Sequence, residues 1–99
     1  MDSTLIHTLL TIYDSFPVDG GTCLVGVNSD FDSLTSETIE QRIGPTVILR
    51  RSASVLGPFT VLGVDTMTSL ENKKNIVLKV NGELPNGFLA DVTEVCRAI

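Results

Sequence analysis

The sequence predicts a mostly β protein of one domain, residues 1–99, built as a small antiparallel sheet with a short N-terminal helix. Three observations carry that fold class. Val, Ile and Thr supply 29 of the 99 residues while Ala supplies three, a balance that suits a pleated backbone better than a helix. Apolar residues recur in short runs, several with a period of two, and Gly or Pro punctuates them at the short intervals of a small sheet. At 99 residues and 42% hydrophobic side chains, the chain suits one ordered core and buries about two-thirds of its unfolded surface.

Each element has its own local reason. Residues 3–13 set Ile6, Leu9, Leu10 and Tyr13 at helical spacing behind Asp2 or Ser3 as a cap; Thr4, Thr8, Thr11 and Ile12 weaken that helix and keep a strand open as the alternative. Pro17 and Asp19-Gly20-Gly21 stop it, and residues 22–27 form a short buried strand interrupted by Gly26. Residues 28–41 are acidic and rich in Ser and Thr, with Phe31, Leu34 and Ile39 as their anchors, which fits a loop or a weak surface helix. Residues 46–55 read as one strand, with Val47, Leu49, Ala53 and Val55 on one face and Thr46, Arg50, Ser52 and Ser54 on the other. Gly57-Pro58 marks a bend, and residues 59–64 resume as a strand with Phe59, Val61 and Gly63 on one face. In residues 75–80, Ile76, Leu78 and Val80 oppose Val77 and Lys79. Leu84-Pro85-Asn86-Gly87 has the chemistry of a type I turn, and residues 88–95 supply a last strand, for four or five in all. No internal repeat is visible.

Charge is distributed unevenly. The formal charge is −5, yet residues 1–41 hold seven acids and no Lys or Arg, whereas residues 42–99 hold seven bases against five acids. An acidic segment beside a mildly basic one offers no basic face for a polyphosphate, so nucleic acid is not an expected partner. No run approaches the roughly 18 apolar residues of a spanning helix, and Asp2 stands where a signal peptide carries positive charge, so an intracellular chain with reduced thiols at Cys23 and Cys96 is expected. No N-glycosylation acceptor is present.

Chemistry-bearing residues are sparse. His7 is the one histidine; the plain reading makes it a surface residue and Cys23 a small apolar filler, so no enzyme is expected. Asp30-Phe31-Asp32 lacks the further ligands of a calcium loop, no His/Cys cluster suits zinc, and Gly20-Gly21-Thr22 lacks the lysine of a phosphate loop, so no metal or cofactor is expected. Arg50-Arg51-Ser52-Ala53-Ser54 is the kind of segment a basophilic kinase accepts, which marks Ser52 and Ser54 as phosphorylation candidates; the plainer reading puts both arginines on an exposed strand edge. Residues 41–64 carry three arginines, no acid, four Ser or Thr and many apolar side chains, a targeting-like composition inside the chain; the competing reading is two plain strands, and Gly57, Pro58 and Gly63 disfavour a continuous amphipathic helix there.

The order Thr46-Val47-Ile48-Leu49-Arg50, then a serine-containing stretch, then Asn75-Ile76-Val77-Leu78-Lys79-Val80, then Glu83-Leu84-Pro85-Asn86-Gly87-Phe88 resembles the internal accessory protein of betacoronaviruses. That family, often called protein 9b, is read from an alternative frame of the nucleocapsid gene. The likeness spans residues 45–95 and rests on the shared order and spacing of short motifs. It implies an intertwined homodimer around an apolar tunnel that holds a long-chain lipid or fatty acyl ligand, and membrane association without a spanning helix. It also implies binding to the host mitochondrial outer-membrane import receptor and suppression of innate interferon signalling. The location it implies is the host cytoplasm, the mitochondrial outer membrane or other intracellular membranes, and the virion. Gly57-Pro58 and Gly63 depart from the family's middle segment, which becomes a helix in its receptor's groove.

Carried onto this sequence, Val47, Leu49, Val55, Phe59, Val61, Ile76, Leu78, Phe88 and Val92 are expected to line the lipid site. Arg50, Arg51, Leu62 and Leu70 are expected to meet a receptor or anionic headgroups. The competing expectation is a small β-rich protein-interaction module with no lipid ligand; an enzyme using Cys23 and His7 ranks third.

Overall fold

The first described element is a strand. The computed structural model describes residues 8–51, 54–68, 73–84 and 93–97, and in it β1 runs Thr8–Val18. The N-terminal helix is therefore corrected over residues 8–13, and residues 3–7 lie outside the described residues. Leu10 and Ile12 point inward two positions apart, so period two displaces the helical spacing of Leu9, Leu10 and Tyr13. Pairing decides it: β1 has antiparallel neighbours on both sides, β2 at Gly21–Val27 and β6 at Thr93–Arg97, and these satisfy its backbone while its β-branched side chains pack.

Six strands are present among the described residues, more than the four or five expected. With β3 at Thr46–Arg51, β4 at Ser54–Thr68 and β5 at Lys74–Val80, they close into an antiparallel barrel in the order β1-β2-β5-β4-β3-β6. Two expectations for this region are corrected. Residues 46–55 are not one strand: Arg51 pairs with Ser54 and Arg50 with Val55 across a hairpin, so Val55 shares the outer face with Arg50 instead of the inner face with Val47 and Leu49. Gly57-Pro58, joined by a cis peptide, bends β4 without ending it; the stretch before the bend and just past it pairs with β3, and residues 61–68 pair with β5. Nor do the arginines sit on an open edge, because β3 is paired on one side with β4 and on the other with β6.

β2 and β3 lie on opposite sides of the closed sheet, so residues 28–45 must cross one end of the barrel. That crossing holds a 3-10 turn, Ser29–Phe31, and helix α1, Ser36–Ile43. Each start is capped: Asn28 Oδ1 accepts from the Asp30 N–H at 2.9 Å and Thr35 Oγ1 from the Thr38 N–H at 3.2 Å. Asn28 Nδ2 donates to the Leu9 carbonyl at 2.8 Å, the Lys74 N–H donates to Asp32 Oδ1 at 3.1 Å, and Lys74 Nζ donates to the Leu34 carbonyl, tying the segment to β1 and β5. The expected surface helix is in part a core element. Phe31, Ile39 and Ile43 are buried and join Leu10, Leu24, Leu49, Ile76, Leu78 and Val95 in one interior, while Asp30, Glu37 and Glu40 stay in water.

Candidate interaction surface

Two of the barrel's strands carry a bulge that turns a large apolar side chain outward. On β1 the register slips between Ile12 and Asp14, and on β4 between Val61 and Gly63. The extra residues are Tyr13 and Leu62, 59% and 49% exposed. They flank the outer face of the four neighbouring strands β1, β2, β5 and β4.

Register fixes what lies between them. One row runs Phe16, Cys23, Lys79 and Gly63; the next runs Asp14, Val25, Val77 and Asp65; beyond it stand Val27, Asn75 and Met67. Alternation along each strand sends all of these to the outside, opposite Leu24, Ile76, Leu78 and Val64 within. The Tyr13 hydroxyl donates to Asn75 Oδ1 at 2.8 Å, which draws the phenol across β2 and explains why outward-facing Val25 is buried. Phe16, Val27 and Met67 remain exposed. A Cβ at Gly63 would meet nothing within 4 Å, so the floor opens into a notch opposite Lys79. The rim is acidic: the Ser15 N–H donates to Asp14 Oδ1 and the Thr66 N–H to Asp65 Oδ1, both at 2.9 Å, holding one carboxylate on each flank.

A polar cluster occupies another part of the outer surface. Arg50 Nη2 reaches Glu94 Oε1 at 3.0 Å and Thr8 Oγ1 at 3.2 Å, and Thr8 Oγ1 donates to Glu94 Oε2 at 2.8 Å. The Thr8 hydroxyl and then the Arg50 guanidinium lower the Glu94 pKa, and the hydrogen bond to Glu94 raises that of Arg50. Beside it, burial pushes the Cys96 thiol up.

The two thiols cannot pair. Cys23 lies opposite Phe16 and Cys96 opposite Thr8, eight residues apart along β1 or about 26 Å, far beyond the roughly 7 Å a disulfide spans. No group of three or more His, Cys, Asp or Glu able to hold a metal occurs among the described residues. Two open clefts adjoin the crossing segment, one of about 460 Å³ between residues 8–11 and 27–30 and one of about 390 Å³ beside Glu40, Gly44 and Val61.

The residues expected to line a lipid site separate into two groups. Val47, Leu49, Phe59, Ile76 and Leu78 are buried on the common interior with Val61 packed against it, whereas Val55 is 59% exposed on the outer face. Phe88 and Val92 lie outside the described residues. Of the expected contact residues, Leu62 stands on the bulge, Arg50 is engaged by Glu94, and Arg51 ends β3 opposite Ser54. Ser54 is exposed, and Leu70, Ser52 and His7 lie outside the described residues. Sequence reasoning missed Tyr13, Phe16, Val25, Val77, Met67, Asp14 and Asp65. The signal was present in Cys23-Leu24-Val25, an unbroken apolar run that implies cover on both faces of one strand.

Comparison of the chain with protein-family models, with curated proteins and with solved structures finds no match. Among the described residues no helix is long and apolar enough to cross a membrane.

Proposed function

We propose that this chain is a non-enzymatic viral accessory protein of the coronavirus internal type, which acts by occupying partners and not by transforming a substrate. One observation supports it above the others: β1, β2, β5 and β4 carry apolar side chains on both faces. Their inner face is consumed by the chain's own core. The outer face, with Tyr13, Phe16, Leu62 and Met67 exposed, gains from a further cover.

In this reading a protein partner supplies that cover, the chain pairs with a second copy elsewhere, the dimer holds a long-chain acyl ligand against the apolar side chains of residues 45–95, and the assembly docks on a mitochondrial import receptor to dampen interferon signalling. The order of motifs over residues 45–95 supports the choice of partners. Native mass spectrometry with lipid extraction tests it. A dimer mass carrying an acyl chain is expected; monomers with no co-purifying acyl chain would remove the lipid and the dimer together.

A second reading is a lipid-free interaction module. It is favoured by the interior of the single chain, where Leu10, Leu24, Ile39, Leu49, Ile76 and Leu78 already fill the barrel. Gel filtration at several concentrations separates the two, since this reading expects a monomer.

A further inference from the structure

We infer that the outer face of β1, β2, β5 and β4 is a docking site for a basic amphipathic helix of a protein partner. This rests on the reading that the chain acts by binding, and it names the chemistry of what binds. The dimensions come first. Asp14 and Asp65 stand at the two ends of one row, three strand spacings or about 14 Å apart, and an α-helix with its side chains is about 10–12 Å across. A helix laid along the strands therefore fits between the two carboxylates. Its apolar stripe meets Val77 and the Tyr13 ring that lies over Val25, with Phe16 on one flank and Leu62 and Met67 on the other, and the absent side chain at Gly63 leaves that end of the face open.

Charge selects the kind of helix. Each flanking carboxylate has one oxygen held by the following backbone N–H, which aims the group and leaves its second oxygen for a cation. Exposed Asp19 and Asp30 lie in the segments that flank β2, and against these four acids stand Lys79 on the floor and exposed Lys73 just before β5. Lys or Arg along both sides of an apolar stripe matches this rim, whereas an anionic lipid surface is repelled by it. The chain's own described helix does not qualify, because α1 carries Glu37 and Glu40 and buries Ile39 and Ile43 in the barrel.

The test uses a fluorescent peptide of about 18 residues, five helical turns, with Leu at i, i+3, i+4 and i+7 and Lys on both flanks. Anisotropy with the full chain is expected to show saturable binding that weakens about fivefold in the D14N/D65N double variant and weakens further at high salt. Leu62→Lys, at an exposed position that leaves the core untouched, is expected to weaken binding at least about tenfold with an unchanged circular dichroism spectrum. A peptide with Glu in place of Lys that binds equally well overturns the inference, as does binding indifferent to Leu62→Lys. No peptide binding, together with anionic vesicle binding or self-association that Leu62→Lys removes, overturns it in favour of a lipid surface or a second copy. Native mass spectrometry of the same sample reports dimer and acyl ligand separately, so a failure here is distinguishable from a failure of the functional reading.

Discussion

At Gly21 a Cβ would lie 1.9 Å from the Val80 carbonyl oxygen, closer than any non-bonded pair tolerates, so β2 and β5 meet there only because the side chain is absent. Gly21→Ala must push backbone apart and is expected to cost about 3 kcal/mol in urea unfolding, whereas Gly63→Ala, whose Cβ meets nothing within 4 Å, is expected to be neutral or to stabilise by up to about 1 kcal/mol. Equal effects would show that the strand contact is not as tight as the geometry states. Glu94 carries a pH dependence of defined sign. Its folded-state pKa is depressed below the ordinary value of about 4.3, so its contribution is complete above that value and is lost as pH falls through the lower folded value. The gap in unfolding midpoint between wild type and Glu94→Gln is thus expected to narrow from about pH 6 to pH 3, by under about 1 kcal/mol because the side chain is 34% exposed. A gap constant over that range means the contact with Thr8 and Arg50 contributes nothing.

Helix α1 shows how far an element can be read from its residues. The polar, acidic run of residues 28–41 correctly places Asp30, Glu37 and Glu40 in water, and Phe31, Leu34 and Ile39 were identifiable as anchors. What the run conceals is depth. Ile39 and Ile43 stand four apart and share one helix face, but their complete burial depends on the barrel end beneath them, which local spacing does not disclose. Ile39→Ala is accordingly expected to cost about 2–4 kcal/mol, measured by thermal or urea unfolding, while Glu40→Ala on the water side changes stability by less than about 0.5 kcal/mol. Similar small effects at both positions would mean that α1 lies on the barrel without plugging it. β1 failed in the opposite direction: Leu9, Leu10 and Tyr13 satisfy a helical period locally, and only pairing with β2 and with distant β6 makes the strand the better solution.

Closure of the whole barrel is the property least available to a linear reading, because it depends on Thr8 meeting Cys96 and Leu10 meeting Val95 across nearly the full chain. The inward phase was legible in part: Val47, Leu49, Phe59, Ile76 and Leu78 share one interior, while Val55, expected beside them, faces outward. The outward site was not, since a bulge inserts one residue and reverses every later side chain, and nothing in Ile12-Tyr13-Asp14 or Val61-Leu62-Gly63 announces it. The same closure makes one strand disproportionately important. β6 is only five residues long, yet it pairs with β1 on one side and β3 on the other and brings Thr93, Val95 and Cys96 under full burial. A chain ending at residue 92 would lose those side chains and expose two hydrogen-bonding edges, each an invitation to intermolecular pairing. It is expected to lose its cooperative unfolding transition and to elute as aggregate on gel filtration. A truncated chain that unfolds cooperatively as a small species would instead show that β1 to β5 form a self-sufficient open sheet, with β6 an accessory to it.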